Sequence, residues 1–355
     1  MNSSNCTNFR GGGVGVISMK LASTDENLPI IGPATDFLRF PVENPEFALK
    51  GMKGALRLFV EAELAVARCD FARGKMLSER LLKSDKYFLA VVRIGIISAI
   101  GLGDFRFFDE ILAKIADYRS RLPHPMSKLG LELSDAWLRQ WLWIGDGYPE
   151  WMYRFDFSSI PDAWRQAAAY LGMKIRIQKG QFESAYAASS LFLNFVCSQV
   201  GITASCAYAK ISCAIACRET GRTAEMMGWL NDAVRTLAPH KILLPFLLFM
   251  SGSPKSPVVE LLADVAPEQV SRYRELAKTY FKNLIRFRNH YTGERTAEDL
   301  SFREFYLAML LKRGQAYKEL AECLGISIGR VRNLVSVLYE KLHIHKRSEL
   351  NDLVW

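Results

Sequence analysis

The chain is poor in the residues on which most enzyme chemistry rests. It has five histidines in 355 residues, and none stands in a His-Glu-x-x-His zinc pattern. No strand-to-helix nucleophile elbow and no dinucleotide fingerprint is seen. The run Gly11-Gly12-Gly13-Val14-Gly15 is not a phosphate loop, because no Gly-Lys-Ser/Thr ending follows at the required spacing. The seven cysteines form no Cys-x-x-Cys pair, so no metal site and no cofactor is expected. Their odd number and the lack of a secretory apolar segment in residues 1–30 suit reduced thiols in a cytoplasmic protein. Long apolar runs are also missing. The longest, Ile242 to Met250, contains Pro245 and falls far short of the roughly 20 residues a membrane span needs. The apolar stretch 91–103 is broken by Arg93 and by glycines. No membrane span is expected, and an enzyme is not expected either.

Period-two alternation is lacking too. From about residue 45 to 250, apolar residues recur at three- and four-residue spacing, which predicts helices throughout. Half of all residues are hydrophobic, enough for a sizeable core. Residues 1–30 are rich in Ser, Asn, Thr and Gly, have no apolar period and read as a disordered leader. Met19 is an alternative start within it.

A turn signal recurs along the helical region. It reads Arg68-Cys69-Asp70-Phe71, Gly103-Asp104-Phe105, Gly145-Asp146-Gly147-Tyr148, Gly180-Gln181-Phe182 and Gly221-Arg222-Thr223. Measured between residues 70, 104, 146, 181 and 222, the gaps are 34, 42, 35 and 41 residues. A pair of helices with short loops fills about 34 residues, so this is the spacing of helical-hairpin repeats. Segments 170–195 and 208–239 resemble tetratricopeptide repeats, on the small residues Ala185 and Ala188, the Gly180 and Gly221 turns and the closing Pro239. The expected architecture is an all-α chain: a tetratricopeptide-like solenoid over 31–288, a polar linker over 289–298, and a four-helix unit over 299–355.

That last unit carries the most specific signal. Ser301 and Glu304 have the spacing of a capping box. A helix with Phe305, Leu307, Ala308, Leu310 and Leu311 stops at Gly314. A second carries Tyr317, Leu320, Ala321 and Leu324, and after a turn at Gly325 Ser327 caps a third. The inward face of the third is Ile328, Val331, Val335, Leu338 and Leu342. A closing helix is expected from about Ser348, with Leu350 and Leu353. Two helices joined by a tight turn, with Arg330, Arg332 and Asn333 outward on the second, suit major-groove recognition. There Arg reads guanine and Asn reads adenine. Lys318, Lys341, Lys346 and Arg347 are expected near the phosphates, and Ser327 beside them. The formal net charge of +9 is a weak push toward nucleic acid.

On Ser301-Phe302-Arg303-Glu304, Gly314, Lys318-Glu319-Leu320-Ala321, Leu324, Ile326-Ser327, Val331-Arg332, Lys341-Leu342, Arg347 and Glu349-Leu350, residues 300–353 resemble the LuxR-type (NarL/FixJ/GerE) DNA-binding domain. The sequence departs from that pattern at Arg330, where the family has Thr, and at Leu334, where it has His. The resemblance implies a bacterial transcription regulator that binds double-stranded DNA as a homodimer, joined through Glu349, Leu350 and Leu353, and engages the transcription machinery. It also implies a receiver for a small-molecule or protein effector, and regulators of the MalT kind pair such a domain with a tetratricopeptide superhelix. Trp137, Trp141 and Trp151 could stack on a ligand or partner, although the i, i+4 spacing of Trp137 and Trp141 also suits packing between repeats. Cys206, Cys213 and Cys217 share a helix face and read as small buried side chains. The competing reading is a protein-interaction scaffold with a helix-turn-helix remnant that no longer binds DNA.

Overall fold

The computed structural model describes residues 29–31, 49, 52–197, 204–249, 256–293, 300–324 and 326–350. Among them every regular element is helical and no strand occurs. Most of the predicted leader, residues 1–28, lies outside the described residues. Pro29 and Ile30, the last two residues of that leader, are held against the body, with the Ile30 amide donating to the Lys86 carbonyl at 2.8 Å. The Trp164 indole donates to the Pro29 carbonyl at 3.0 Å, and Ile31 is buried.

The first helices are α1 (Gly54–Ala67), α2 (Phe71–Leu81), α3 (Asp85–Leu102), α4 (Phe105–Arg121) and α5 (Ser127–Trp141). After the short α6 (Glu150–Arg154) come α7 (Asp162–Gln178), α8 (Phe182–Phe192), α9 (Ala204–Glu219) and α10 (Thr223–Leu237). The recurring turn signal falls between partners of a pair. A single left-handed residue reverses the chain at Cys69, Gly103, Gly180 and Gly221, and glycine takes that conformation without strain. Asp70 and Asp104 then cap the following helices, accepting from the Arg73 and Phe107 amides at 3.1 and 3.0 Å. Turns this short make neighbours antiparallel, and α1, α3, α5, α7 and α9 each pack on the next in that row. The signal at 145–148 behaves differently. Eight residues, 142–149, separate α5 from α6. The Tyr148 hydroxyl lies 2.8 Å from the Ile144 carbonyl and 2.6 Å from Gln178 Oε1, which pins this loop to the end of α7.

The apolar stretch broken by Arg93 is the buried core helix α3. Arg93 is tolerated there because it pairs with Glu63 of α1 and lies over the Trp137 ring at 5.2 Å. A lone charge at that depth would be strongly destabilising.

The row of pairs returns to its own start. The Leu243 amide donates to the Ala67 carbonyl at 3.0 Å, and Arg68 Nε to the His240 carbonyl at 2.9 Å. Two short helices, α11 (Leu244–Leu248) and α12 (Pro257–Val265), then lead into α13 (Val270–Thr292). This long helix packs on α3 and against α11 and α12. Phe287 stacks on Phe105 at 4.1 Å, and Asn283 donates to the Ile100 carbonyl at 2.8 Å. Helix α13 is longer than the sequence suggests. The polar residues 289–292, expected to be linker, form its last turn, because His290 finds Asp109 at 2.7 Å and Asn289 is buried. Gly293 ends it in a left-handed cap. Residues 294–298 of the predicted linker lie outside the described residues.

The chain finishes with α14 (Phe302–Lys312), α15 (Tyr317–Leu324), α16 (Ile328–Leu342) and a 3₁₀ turn at Arg347–Glu349. The expected fourth helix starts at that turn, with Leu350 helical directly after it, and the remainder of it, Leu353 included, lies outside the described residues.

Candidate nucleic-acid interface

The last three helices are built as the apolar spacing demands. Leu320, Ala321 and Leu324 of α15 and Val331, Val335, Leu338 and Leu342 of α16 are buried, and α15 packs on α16. The capping box forms: the Ser301 amide donates to Glu304 Oε2 at 2.7 Å, and the Glu304 amide to Ser301 Oγ at 3.3 Å. Ser327 Oγ accepts from the Arg330 amide at 3.3 Å and starts α16. Residues 325–329 have Gly-x-Ser-x-Gly spacing, but an elbow joins a strand to a helix. Here helices lie on both sides and the cap occupies the serine. Two positions depart from the expected inward face. Ile328 and Tyr317 are exposed, because each is the first residue of its helix and has no preceding turn to cover it.

The outward face of α16 presents Arg330, Arg332 and Asn333 to solvent. Neither arginine side chain has a partner among the described residues, and the same holds for Lys318 and Lys346, which are also exposed. Four cations and one amide thus stand exposed on α15, α16 and the residues that follow it.

The other predicted contacts are used internally. Lys341 Nζ reaches Glu304 Oε1 at 2.7 Å and ties the end of α16 to the start of α14. Burial alone would raise the Glu304 carboxyl, but Lys341 and the Ser301 donors outweigh it and hold it below its ordinary value. Arg347 Nε and Nη2 donate to the Leu311 and Gln315 carbonyls, at and just after the end of α14. Leu350, expected at a dimer contact, is fully buried inside the unit, because the 3₁₀ turn folds back on α14. Glu349 accepts from the His345 amide at 3.0 Å.

One residue at this face escapes the sequence reading. Arg303 has buried Nε and Nη2 atoms with no hydrogen-bond partner among the described residues. Burial, and then the nearby Arg330, lower its pKa. Two like charges thus lie near one another where α14 and α16 begin. The sequence signal of Arg303 was its place in the Ser301–Glu304 box, where attention falls on the caps.

The candidate ligand tryptophans do not converge. Trp137 and Trp141 are buried, and Trp137 stacks on Tyr170 at 5.5 Å. Trp151 donates to Glu132 at 3.0 Å. These are packing contacts. The cysteines are buried as expected, and burial pushes the Cys213 thiol up to about 12, which leaves it unreactive. Cys206 is engaged in a disulfide, contrary to the expectation of reduced thiols throughout. Spacing in a sequence does not show which cysteine Cβ atoms the fold brings within bonding distance.

Helix α14 also joins this unit to the rest of the protein. Phe305 is fully buried between Phe281 at 5.5 Å and Trp143 at 5.7 Å. Glu219, at the end of α9, accepts from the Tyr306 hydroxyl at 2.8 Å and from Arg313 at 3.2 Å, and pairs with Arg218 at 2.7 Å. Burial would raise this carboxyl, but Arg218, Arg313 and Tyr306 together hold it below its ordinary value.

Comparison with protein families, curated proteins and solved structures finds no match to this chain.

Proposed function

We propose that the chain is a DNA-binding transcription regulator, in which residues 300–350 form a LuxR-type helix-turn-helix unit and the preceding helical pairs form a tetratricopeptide-like repeat body that receives a signal. The observation that supports this best is the outward face of α16. Arg330, Arg332 and Asn333 stand exposed on a helix whose opposite face is buried. Helix α16 enters the major groove, with the two arginines and Asn333 toward base edges. Arg303, Lys318 and Lys346 meet phosphates and fix the register. Lys341 and Arg347 act indirectly, by holding α14 against α16. The protein works in the cytoplasm, on double-stranded DNA and with the transcription machinery. Two copies bind two half-sites, through a surface other than Leu350.

Fluorescence anisotropy with duplex DNA over a salt series tests the reading. A protein that neutralises several phosphates loses affinity steeply with salt, with a log–log slope of about −0.9 per phosphate contact. Arg330→Ala/Arg332→Ala weakens binding by about 2 to 6 kcal/mol. Affinity that is flat in salt and equal in the variant contradicts DNA binding and favours the scaffold reading.

A further inference from the structure

A cavity of about 1020 Å³ lies where α14 meets the body. That is at the upper end of the roughly 300–1,000 Å³ usual for ligand pockets. Helices α5, α7, α9, α13 and α14 and the start of α8 wall it, and four of them present residues three or four apart on one face. These residues are Lys174, Ile177 and Gln178 of α7, Ile215 and Glu219 of α9, Arg288 and Thr292 of α13, and Tyr306 and Met309 of α14. The loop after α5 adds Trp143 as an aromatic wall. Spacing of this kind makes one continuous surface on each helix.

The lining is strongly positive. Seven lysines and arginines face only Asp146 and Glu219. Both carboxylates are already engaged, Glu219 by Arg218 and Arg313 and Asp146 by Arg139 at 4.0 Å. Lys174 stands out among the cations. It is 4 % exposed and has no hydrogen-bond or ion-pair partner among the described residues. Lysine is almost never buried to this degree unless it is paired. Burial brings its pKa down to about 8, as expected for an ammonium that has lost water and gained nothing in return. Gln140 of α5 lines the same cavity, and its side-chain oxygen is also buried without a partner.

We infer that this cavity is the binding site for a small organic anion, a carboxylate or phosphate ester, whose charge pairs with Lys174, whose hydroxyl donates to Gln140 and whose carbon body lies against Trp143, Ile177 and Ile215. Such a ligand gives each otherwise unsatisfied group its partner, and the apolar walls suit a carbon skeleton better than a bare inorganic ion. The inference deepens the regulator reading by naming the chemical class of the effector. Tyr306 and Met309 belong to the helix that begins the DNA-binding unit, so an occupant touches body and unit together.

Isothermal titration of the full chain with citrate, with glucose 6-phosphate and with glucose tests the site without DNA. At least one of the two anions binds with one-to-one stoichiometry, and glucose does not. Lys174→Met, similar in volume, loses that binding by tenfold or more, while Lys174→Arg retains it within threefold. Circular dichroism of each variant shows whether the fold is intact. Arg330→Ala/Arg332→Ala binds the anion as the wild type does, so failure of the DNA-binding reading and failure of this one are told apart. Equal anion binding by wild type and Lys174→Met, or none by the wild type, overturns the inference.

Discussion

Replacing Lys174 with Met should make the protein more stable. Few surface-to-core arguments predict that of a lysine, and the magnitude follows from the structure. Burial takes the Lys174 pKa from 10.5 to about 8. At about 1.4 kcal/mol per pH unit, holding the charged form in the fold costs about 3 kcal/mol at pH 7. The folded pKa lies below the unfolded one, so the cost is complete below pH 8. It is relieved as pH rises from about 8 toward 10.5, where the folded lysine is neutral. Water in the open part of the cavity reduces the cost, so the expected gain for Lys174→Met at pH 7 is about 1 to 3 kcal/mol. Urea unfolding of both proteins at pH 7 and at pH 10 measures it, and the difference between them narrows at pH 10. A variant less stable than the wild type at pH 7, or a difference independent of pH, refutes the reasoning that Lys174 is buried without a partner.

Arg303→Ala should weaken DNA binding by a similar factor on all sequences and reduce the salt slope by about one phosphate contact; anisotropy on two unrelated duplexes shows it. Glu219→Gln strips the counter-charge from Arg218 and Arg313 and should destabilise the protein by about 3 to 5 kcal/mol, the range for one half of a buried ion pair, in urea unfolding. Because the folded Glu219 pKa is lowered, its contribution is present above the ordinary carboxylate range. It is lost as pH falls through the folded value, so wild type and variant should converge in acid. Leu350→Ala leaves a hole beneath α14 and should cost about 2 to 5 kcal/mol without changing the oligomeric state on DNA; light scattering of the complex checks the second point.

The sequence carried the local rules well. Ser301 and Glu304 announced their capping box, Ser327 its helix start, and the glycines at 103, 180 and 221 their left-handed turns. Each depends on residues a few positions apart, which a single chain displays directly. What escaped depends on distant partners. Lys341 and Arg347 look like free cations until α14 and the turn after it supply Glu304 and two carbonyls. Lys174 looks like any charged residue on an amphipathic helix. Only α5, α9, α13 and α14 together turn its side of α7 into an interior. The tryptophans were legible in part, since the i, i+4 spacing of Trp137 and Trp141 suited packing between helices. Trp137 and Trp141, at i, i+4, were packed away, while Trp143, on the left-handed residue after α5, faces the cavity.

Selection of genomic DNA fragments on the purified full-length protein, beside its Arg330→Ala/Arg332→Ala variant, tests the central claim most directly. The account predicts a shared motif with two related half-sites, enriched by the wild type and lost in the variant. Equal, unselective recovery by both proteins, or none by either, with and without the anion that fills the Lys174 cavity, would contradict it.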